Sequence, residues 1–382
     1  MRFSGVAEQE YTRLYGKSQI NTIKTAMNEK IIITVSLLLI ASCAAFINAK
    51  QPFSIQTAGG PAKKQNIMMT VRGPIEPNSF GKALPHEHIL VDFIGADKTG
   101  PGRYDANEVI SIMLPYLREL KNRGFTGFVD CSPAFLARDV KILKQLSEET
   151  GLNIVTNTGY YGAANDKYLP EYVIGETADQ LSARWTAEWE NGIEGTGIYP
   201  GFIKTAVDRG PLNDTDKKLV QAAARTHLKT GLTIACHTGE AQAALAVLEI
   251  IQQEAVAPSA LIIVHANGIA DSNVRIKIAA AGAWVELDGV NKNSIAENVK
   301  FIKELMQAGL LNRTLISQDA GCYNVGDERG GQTHNKIHPF TTIADQMIPA
   351  LKQAGLTNAQ IRQLIVENPA KAYTVKVKNL EG

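Results

Sequence analysis

The run ALPHEHILVD, residues 83–92, sets two histidines, His86 and His88, two positions apart in an otherwise apolar segment. Residues i and i+2 of a strand share a face. The two imidazoles therefore project together beside Ile89, Leu90 and Val91, and they look like half of a metal site. The run is also the first of a series. GFTGFVDCS (124–132), LNIVTNTGYY (152–161), PGFIKTAVD (200–208), GLTIACHTG (231–239), ALIIVHANG (260–268), GAWVELDG (282–289) and RTLISQDAG (313–321) follow it. Most are continuously apolar, as expected of parallel strands buried on both faces.

Between these runs lie amphipathic segments such as 106–124 and 214–231, several of them closed by glycine, the usual residue just past a helix end. The last helix opens with Thr357 and Gln360 at capping-box spacing and turns Ile361, Leu364 and Ile365 to the core. Eight strands alternating with helices predict an α/β chain folded as a (β/α)8 TIM barrel over residues 66–382. The rival, an open doubly wound sheet, calls for a glycine-rich phosphate loop after the first strand. HILVDFIGADKTGPGRYD lacks that GxGxxG spacing.

The polar residues of these strands are the candidate site. His86 and His88 lie on the first strand, Lys204 on the fourth, His237 on the fifth, His265 on the sixth and Asp319 on the eighth. Each falls near the C-terminal end of its run, where barrel active sites form. Lys204, His237 and His265 follow one another at about 30 residues, the length of one βα unit. A lone strand histidine is usually a satisfied core residue, but six such groups aimed at one mouth are not explained by packing. Lys204 is the most telling, because burying an ammonium is costly. A buried lysine that gives up its proton can react with CO2 to form a carbamate, an anion able to bridge two cations. Imidazole and carboxylate donors suit Zn2+, with Mn2+, Fe2+ and Co2+ as alternatives. Such ions make hydroxide available at neutral pH and polarise a C=O or P=O bond. Asp319 can both ligate an ion and take the proton of the nucleophile.

GxxxPHEHILVD, GFIKTAVD, ACHTGEA, IIVHANG, ISQDAG and the closing ENPAKAY together resemble the phosphotriesterase family of the amidohydrolase superfamily, which includes phosphotriesterase-like lactonases. The resemblance runs from about Thr70 to Val375. It implies that His86, His88 and Asp319 hold a buried ion, that His237 and His265 hold a more exposed one, and that carbamylated Lys204 bridges both. Tyr161, in TGYY, matches a tyrosine that lactonases of the family place beside a bridging hydroxide, which implies a catalytic role. The implied activity is metal-dependent hydrolysis of lactones or related esters through that hydroxide. Hydrolysis of phosphotriesters or other phosphate esters is the alternative, and a non-catalytic metal-binding exported protein is a third reading. Family members are commonly dimeric, which implies a homodimer. Two departures bear on substrate: Gly289 follows Asp288 where lactonases often carry arginine, and the segment after Asp319, GCYNVGDERGGQTHNKIHPF, has its own composition.

Composition adds bounds. Hydrophobic residues make up 45% and charged residues 20%, as in an ordinary globular protein. A net charge of +1 offers no surface for nucleic acid. Lys30 precedes an apolar run, Ile31 to Ile40, and small residues follow it. That reads as a signal peptide over 27–49, too short for a comfortable membrane span. Ile40-Ala41-Ser42-Cys43 matches a bacterial lipobox, which makes Cys43 a lipidated membrane tether; cleavage after Ala49 is the rival. Residues 1–26 are then a leader of unread role or a mis-assigned start before Met27, and 50–65 is a linker. The expectation is an exported protein, periplasmic or held at a membrane as a lipoprotein. Cys131, Cys236 and Cys322 show no paired spacing, so a disulfide is not required. If Cys43 carries the lipid, Cys43→Ala moves the protein from the membrane fraction to the soluble one on ultracentrifugation. Unchanged partitioning would rule the lipid out.

Overall fold

The computed structural model describes residues 66–377. The signal segment, the lipobox with Cys43 and the linker lie outside the described residues. Eight parallel strands form the barrel wall. They are β1 (Ala83–Glu87), β2 (Gly127–Asp130), β3 (Asn153–Val155, resumed at Asn157–Thr158), β4 (Phe202–Ala206), β5 (Thr233–His237), β6 (Leu261–Val264), β7 (Trp284–Leu287) and β8 (Thr314–Ile316). Neighbours pair in chain order from β1 to β8, every pair parallel. The predicted (β/α)8 barrel is the observed fold.

Helices cover the outside: α1 (Ala106–Asn122), α2 (Val140–Thr150), α3 (Ala178–Asn191), α4 (Asp214–Thr230), α5 (Ala241–Gln253), α6 (Ser272–Ala280) and α7 (Ile295–Gln307). Their ends follow the capping rules. Asp105 caps α1 through the amides of Asn107 and Glu108, and Asn213 with Asp216 forms a capping box on α4. Thr357 and Gln360 make the expected capping box at the start of the last helical stretch, where Ile361, Leu364 and Ile365 are buried. Among the described residues, no helix is long and apolar enough to cross a membrane.

Strand alternation divides the core in two. Ile203, Ile234, Ile263 and Val285 pack outward against the helices. Phe202, Ala235, Ile262, Trp284 and Leu315 fill the barrel interior, with Met68, Phe80 and Tyr373. The antiparallel hairpin Asn66–Thr70 and Gly73–Ile75 pairs with Val375–Lys376. Gly159 (φ 108°) runs so close to β4 that any Cβ would collide with the Lys204 carbonyl, so this position admits only glycine.

The barrel closes between β8 and β1 without a regular ladder. The His86 amide donates to Ser317 Oγ at 3.0 Å, and the Ser317 hydroxyl donates to Glu87 Oε1 at 2.7 Å. The amides of Gln318 and Ala320 donate to the same carboxylate at 3.1 and 2.8 Å. Main-chain bonds from Asp319 to the His86 carbonyl and from His88 to the Ala320 carbonyl complete the seam. Glu87 is fully buried, and burial pushes its carboxyl up to about 8 in spite of these donors. Glu87→Ala leaves three buried donors without an acceptor and is expected to cost about 3–5 kcal/mol, read by urea unfolding of the metal-free protein. A loss below about 1 kcal/mol would mean that the seam is held by something else.

Candidate metal centre

The expected site residues meet at the C-terminal end of the barrel. His86, His88, Tyr161, Lys204, His237, His265 and Asp319 all line one cavity of about 350 Å3. The sequence expectation of ligands on strands needs one refinement. His86, Lys204 and His237 are strand residues, whereas His88, His265 and Asp319 stand just beyond theirs. His265 and Asp319 adopt left-handed backbone conformations (φ 58° and 49°), uncommon for non-glycine residues and typical of functional sites. Each is held there by a hydrogen bond from its own amide, to Asp288 Oδ2 for His265 and to the His86 carbonyl for Asp319.

The far nitrogens of His86, His88 and His265 are occupied from behind. Ser132 donates its hydroxyl proton to the Leu90 carbonyl at 2.8 Å, so toward His88 Nδ1, at 2.9 Å, it can only accept. His88 therefore carries its proton on Nδ1 and turns an Nε2 lone pair to the cavity. His265 Nδ1 donates to Asp288 Oδ1 at 2.8 Å. His86 Nδ1 lies 2.9 Å from Glu286 Oε2 and 3.3 Å from Asp288 Oδ2. Carboxylates behind imidazoles fix the tautomer and raise ligand basicity. Asp288 stands against Nδ1 of both rings and serves this supporting role. Burial holds the His88 imidazole below its usual range, and burial with His265 nearby holds His237 well below it, so both are neutral donors.

Inward, the neutral His88 and the Asp319 carboxylate meet acceptor to acceptor. His88 Nε2 lies 3.1 Å and His86 Nε2 3.7 Å from Asp319 Oδ1. These three groups offer ligand atoms all within 4.8 Å of one another. Lone pairs so disposed repel unless a cation sits between them, and the imidazole and carboxylate donor set suits a divalent ion. His237 and His265 stand beside them, ring centroids 4.4 Å apart. Lys204 is buried, with Nζ 3.4 Å from His86 Nε2. Among the described residues, no carboxylate lies within 4.0 Å of its amine. The donors present fit a pair of divalent ions, with Lys204 at the centre of the floor.

Tyr161 reaches His237, its hydroxyl 3.0 Å from Nδ1. Burial pushes its phenol well above the usual value, so it stays protonated. Tyr168 packs on Tyr161 and Phe93 on Tyr168, edge to face, forming an aromatic wall from the imidazoles to solvent. Phe93 is exposed, on a segment pinned by buried Asp92, which accepts from Arg103 Nε at 2.6 Å and Thr99 Oγ1 at 3.0 Å. At the seventh strand end, Asn267 stands where a side chain on residue 289 would project. Cys131, Cys236 and Cys322 are free thiols.

A family model described as "Phosphotriesterase family" matches residues 66–373. The chain belongs to the phosphotriesterase family. A phosphotriesterase homology protein of Escherichia coli K12 is 27% identical over 77% of this chain and 98% of its own length. An N-acetyltaurine hydrolase of Xenopus tropicalis is 24% identical, covering 81% of this chain and 98% of that one. An aryldialkylphosphatase of Saccharolobus solfataricus is 25% identical, covering 81% and 99%. A variant of the organophosphorus hydrolase from Deinococcus radiodurans superposes with a TM-score of 0.72 at 26% identity, over 82% of this chain and 98% of that chain. This phosphotriesterase-family chain is thus a hydrolase by kinship, and its relatives carry different substrate names.

Sequence reasoning missed four supporting residues: Glu87, Ser132, Glu286 and Asp288 in its role behind two histidines. A signal existed for two of them. In WVELD, Trp284, Glu286 and Asp288 alternate as His86 and His88 do, which puts both carboxylates on the inner face. Asp288 supports one histidine of each expected ion. Asp288→Asn is expected to weaken binding of both ions by about 10–100-fold, read by metal content after dialysis against graded chelator. Undiminished content would show the hydrogen bonds to be incidental.

Proposed function

We propose that this chain is a binuclear metal-dependent hydrolase that acts on lactones or related carboxylic esters. The observation that carries the reading is the cluster of His86, His88 and Asp319 beside buried Lys204, which among the described residues has no carboxylate within 4.0 Å, all in one cavity. His86, His88 and Asp319 would hold the inner ion and His237 and His265 the outer one, with Lys204, once carbamylated, able to supply a ligand to both. When bound, the ions polarise the substrate oxygen and acidify water. The remaining steps belong to the protein. Among the described residues, Asp319 is the only carboxylate lining the cavity, and it takes the proton from the attacking water. Tyr161, protonated, orients His237 and borders the substrate. The apolar wall of Val91, Phe93, Leu136 and Tyr168 excludes water and receives the non-reacting part of a small neutral ester.

Phosphate esters form the second reading, favoured by the aryldialkylphosphatase among the relatives, and the same ligands would serve it. On either reading the substrate is a small molecule met outside the cytoplasm, by a protein exported or tethered through Cys43.

The test is a hydrolysis panel with the purified chain loaded with Zn2+ or Mn2+ in bicarbonate. It compares kcat/KM for γ- and δ-lactones with that for an aryl phosphotriester, with Asp319→Asn as blank. A lactone preference of about a hundredfold, about 2.7 kcal/mol of transition-state discrimination, is expected. The reverse preference would promote phosphate esters, and no turnover above the blank would overturn both. Lys204→Ala is expected to lose ions and activity while keeping the circular dichroism of the barrel. Normal metal content in that variant would sink the carbamate.

A further inference from the structure

Glu286 stands apart from everything the reaction uses directly. It sits on the inner face of β7, one layer below the cavity, fully buried. It is not among the cavity-lining residues, so it cannot touch substrate. One oxygen, Oε2, lies 2.9 Å from His86 Nδ1. The other, Oε1, is buried without any hydrogen-bond partner. A carboxylate left half-satisfied in a barrel core is destabilising, and an apolar residue of similar volume would serve packing better. Its neighbour Asp288 is differently employed. That carboxylate accepts from both the amide and the ring of His265 and reaches His86 only at 3.3 Å. The two acids therefore divide the histidines: Asp288 holds His265 and assists at His86, while Glu286 is committed to His86 alone.

Resting on the binuclear reading above, we infer that Glu286 is a positioning residue for the inner ion: it anchors His86 by its Nδ1 proton and strengthens its Nε2 as a ligand. The consequence is selective. Glu286 touches neither His237 nor His265, so its loss should loosen one ion of the pair and spare the other. The inner-ion set His86, His88 and Asp319 otherwise leans on Ser132 behind His88 and on the Glu87 seam beneath Asp319. Neither fixes the His86 ring.

The experiment uses the full chain loaded with Co2+, whose d–d spectrum reports each site, and titrates it with chelator. Glu286→Gln keeps the shape and removes the charge; Glu286→Leu removes the acceptor altogether. Both are expected to release one ion at about tenfold or more lower chelator concentration than the parent protein, with the second ion unmoved. The thermal midpoint of the metal-free Gln variant should shift by less than about 2 °C. A merely structural Glu286 would give the opposite pattern, a lowered midpoint with both ions held normally, and either variant retaining both ions within threefold of the parent would overturn the inference. If the parent chain itself binds no ion pair, the binuclear reading fails first, and the two failures are told apart.

Discussion

The site depends on how the barrel closes. Between β8 and β1 a single buried carboxylate, Glu87, collects the Ser317 hydroxyl and the Gln318 and Ala320 amides. Each such hydrogen bond contributes roughly 0.5–1.5 kcal/mol, and a buried donor stripped of its acceptor would cost about 1–3 kcal/mol. The seam does more than join two edges. It holds the segment 317–320 against the strand that carries His86 and His88, and so delivers Asp319 to within 3.1 Å of His88 Nε2. First and last strands, more than two hundred residues apart in sequence, supply one cluster because Glu87 stands between its two histidines.

Around that seam the molecule spends its buried polarity on orientation. Ser132, Glu286 and Asp288 each stand behind an imidazole, and each leaves an Nε2 lone pair facing inward. The left-handed backbone at His265 and Asp319 is unfavourable locally, and hydrogen bonds from the neighbouring strands over-determine it. Lys204, placed on the floor by alternation along β4, lies opposite the same lone pairs. The arrangement is pre-organised for cations rather than for its own ligands, which repel one another without them.

Kinship and substrate separate at this point. Relatives covering most of this chain are named for a phosphotriester, an amide and for homology alone. Polarising an oxygen and activating water would suit all these bonds. The mouth is framed by Phe93 on its Asp92-pinned segment, by Tyr168 against Tyr161, and by Gly289 with Asn267 in the space beside it.

The sequence by itself determined the architecture and which polar residues meet at its mouth. Eight apolar runs spaced by helical periods specify parallel strands buried on both faces, and a polar residue at the end of such a run can only point into the mouth. His86, His88, Lys204, His237, His265 and Asp319 were legible for that reason. Helix ends at Asn213 and Thr357 were legible because capping is local chemistry. Glu87 and Ser132 were not, because their meaning lies in partners far along the chain, Ser317 and Ala320 for one, Leu90 and His88 for the other. Glu286 and Asp288 look like strand acids until β7, paired between β6 and β8, brings them to His86 and His265. Tertiary structure alone decided which nitrogen of each histidine faces inward, since that is set by which donor or acceptor the closed barrel brings to its back.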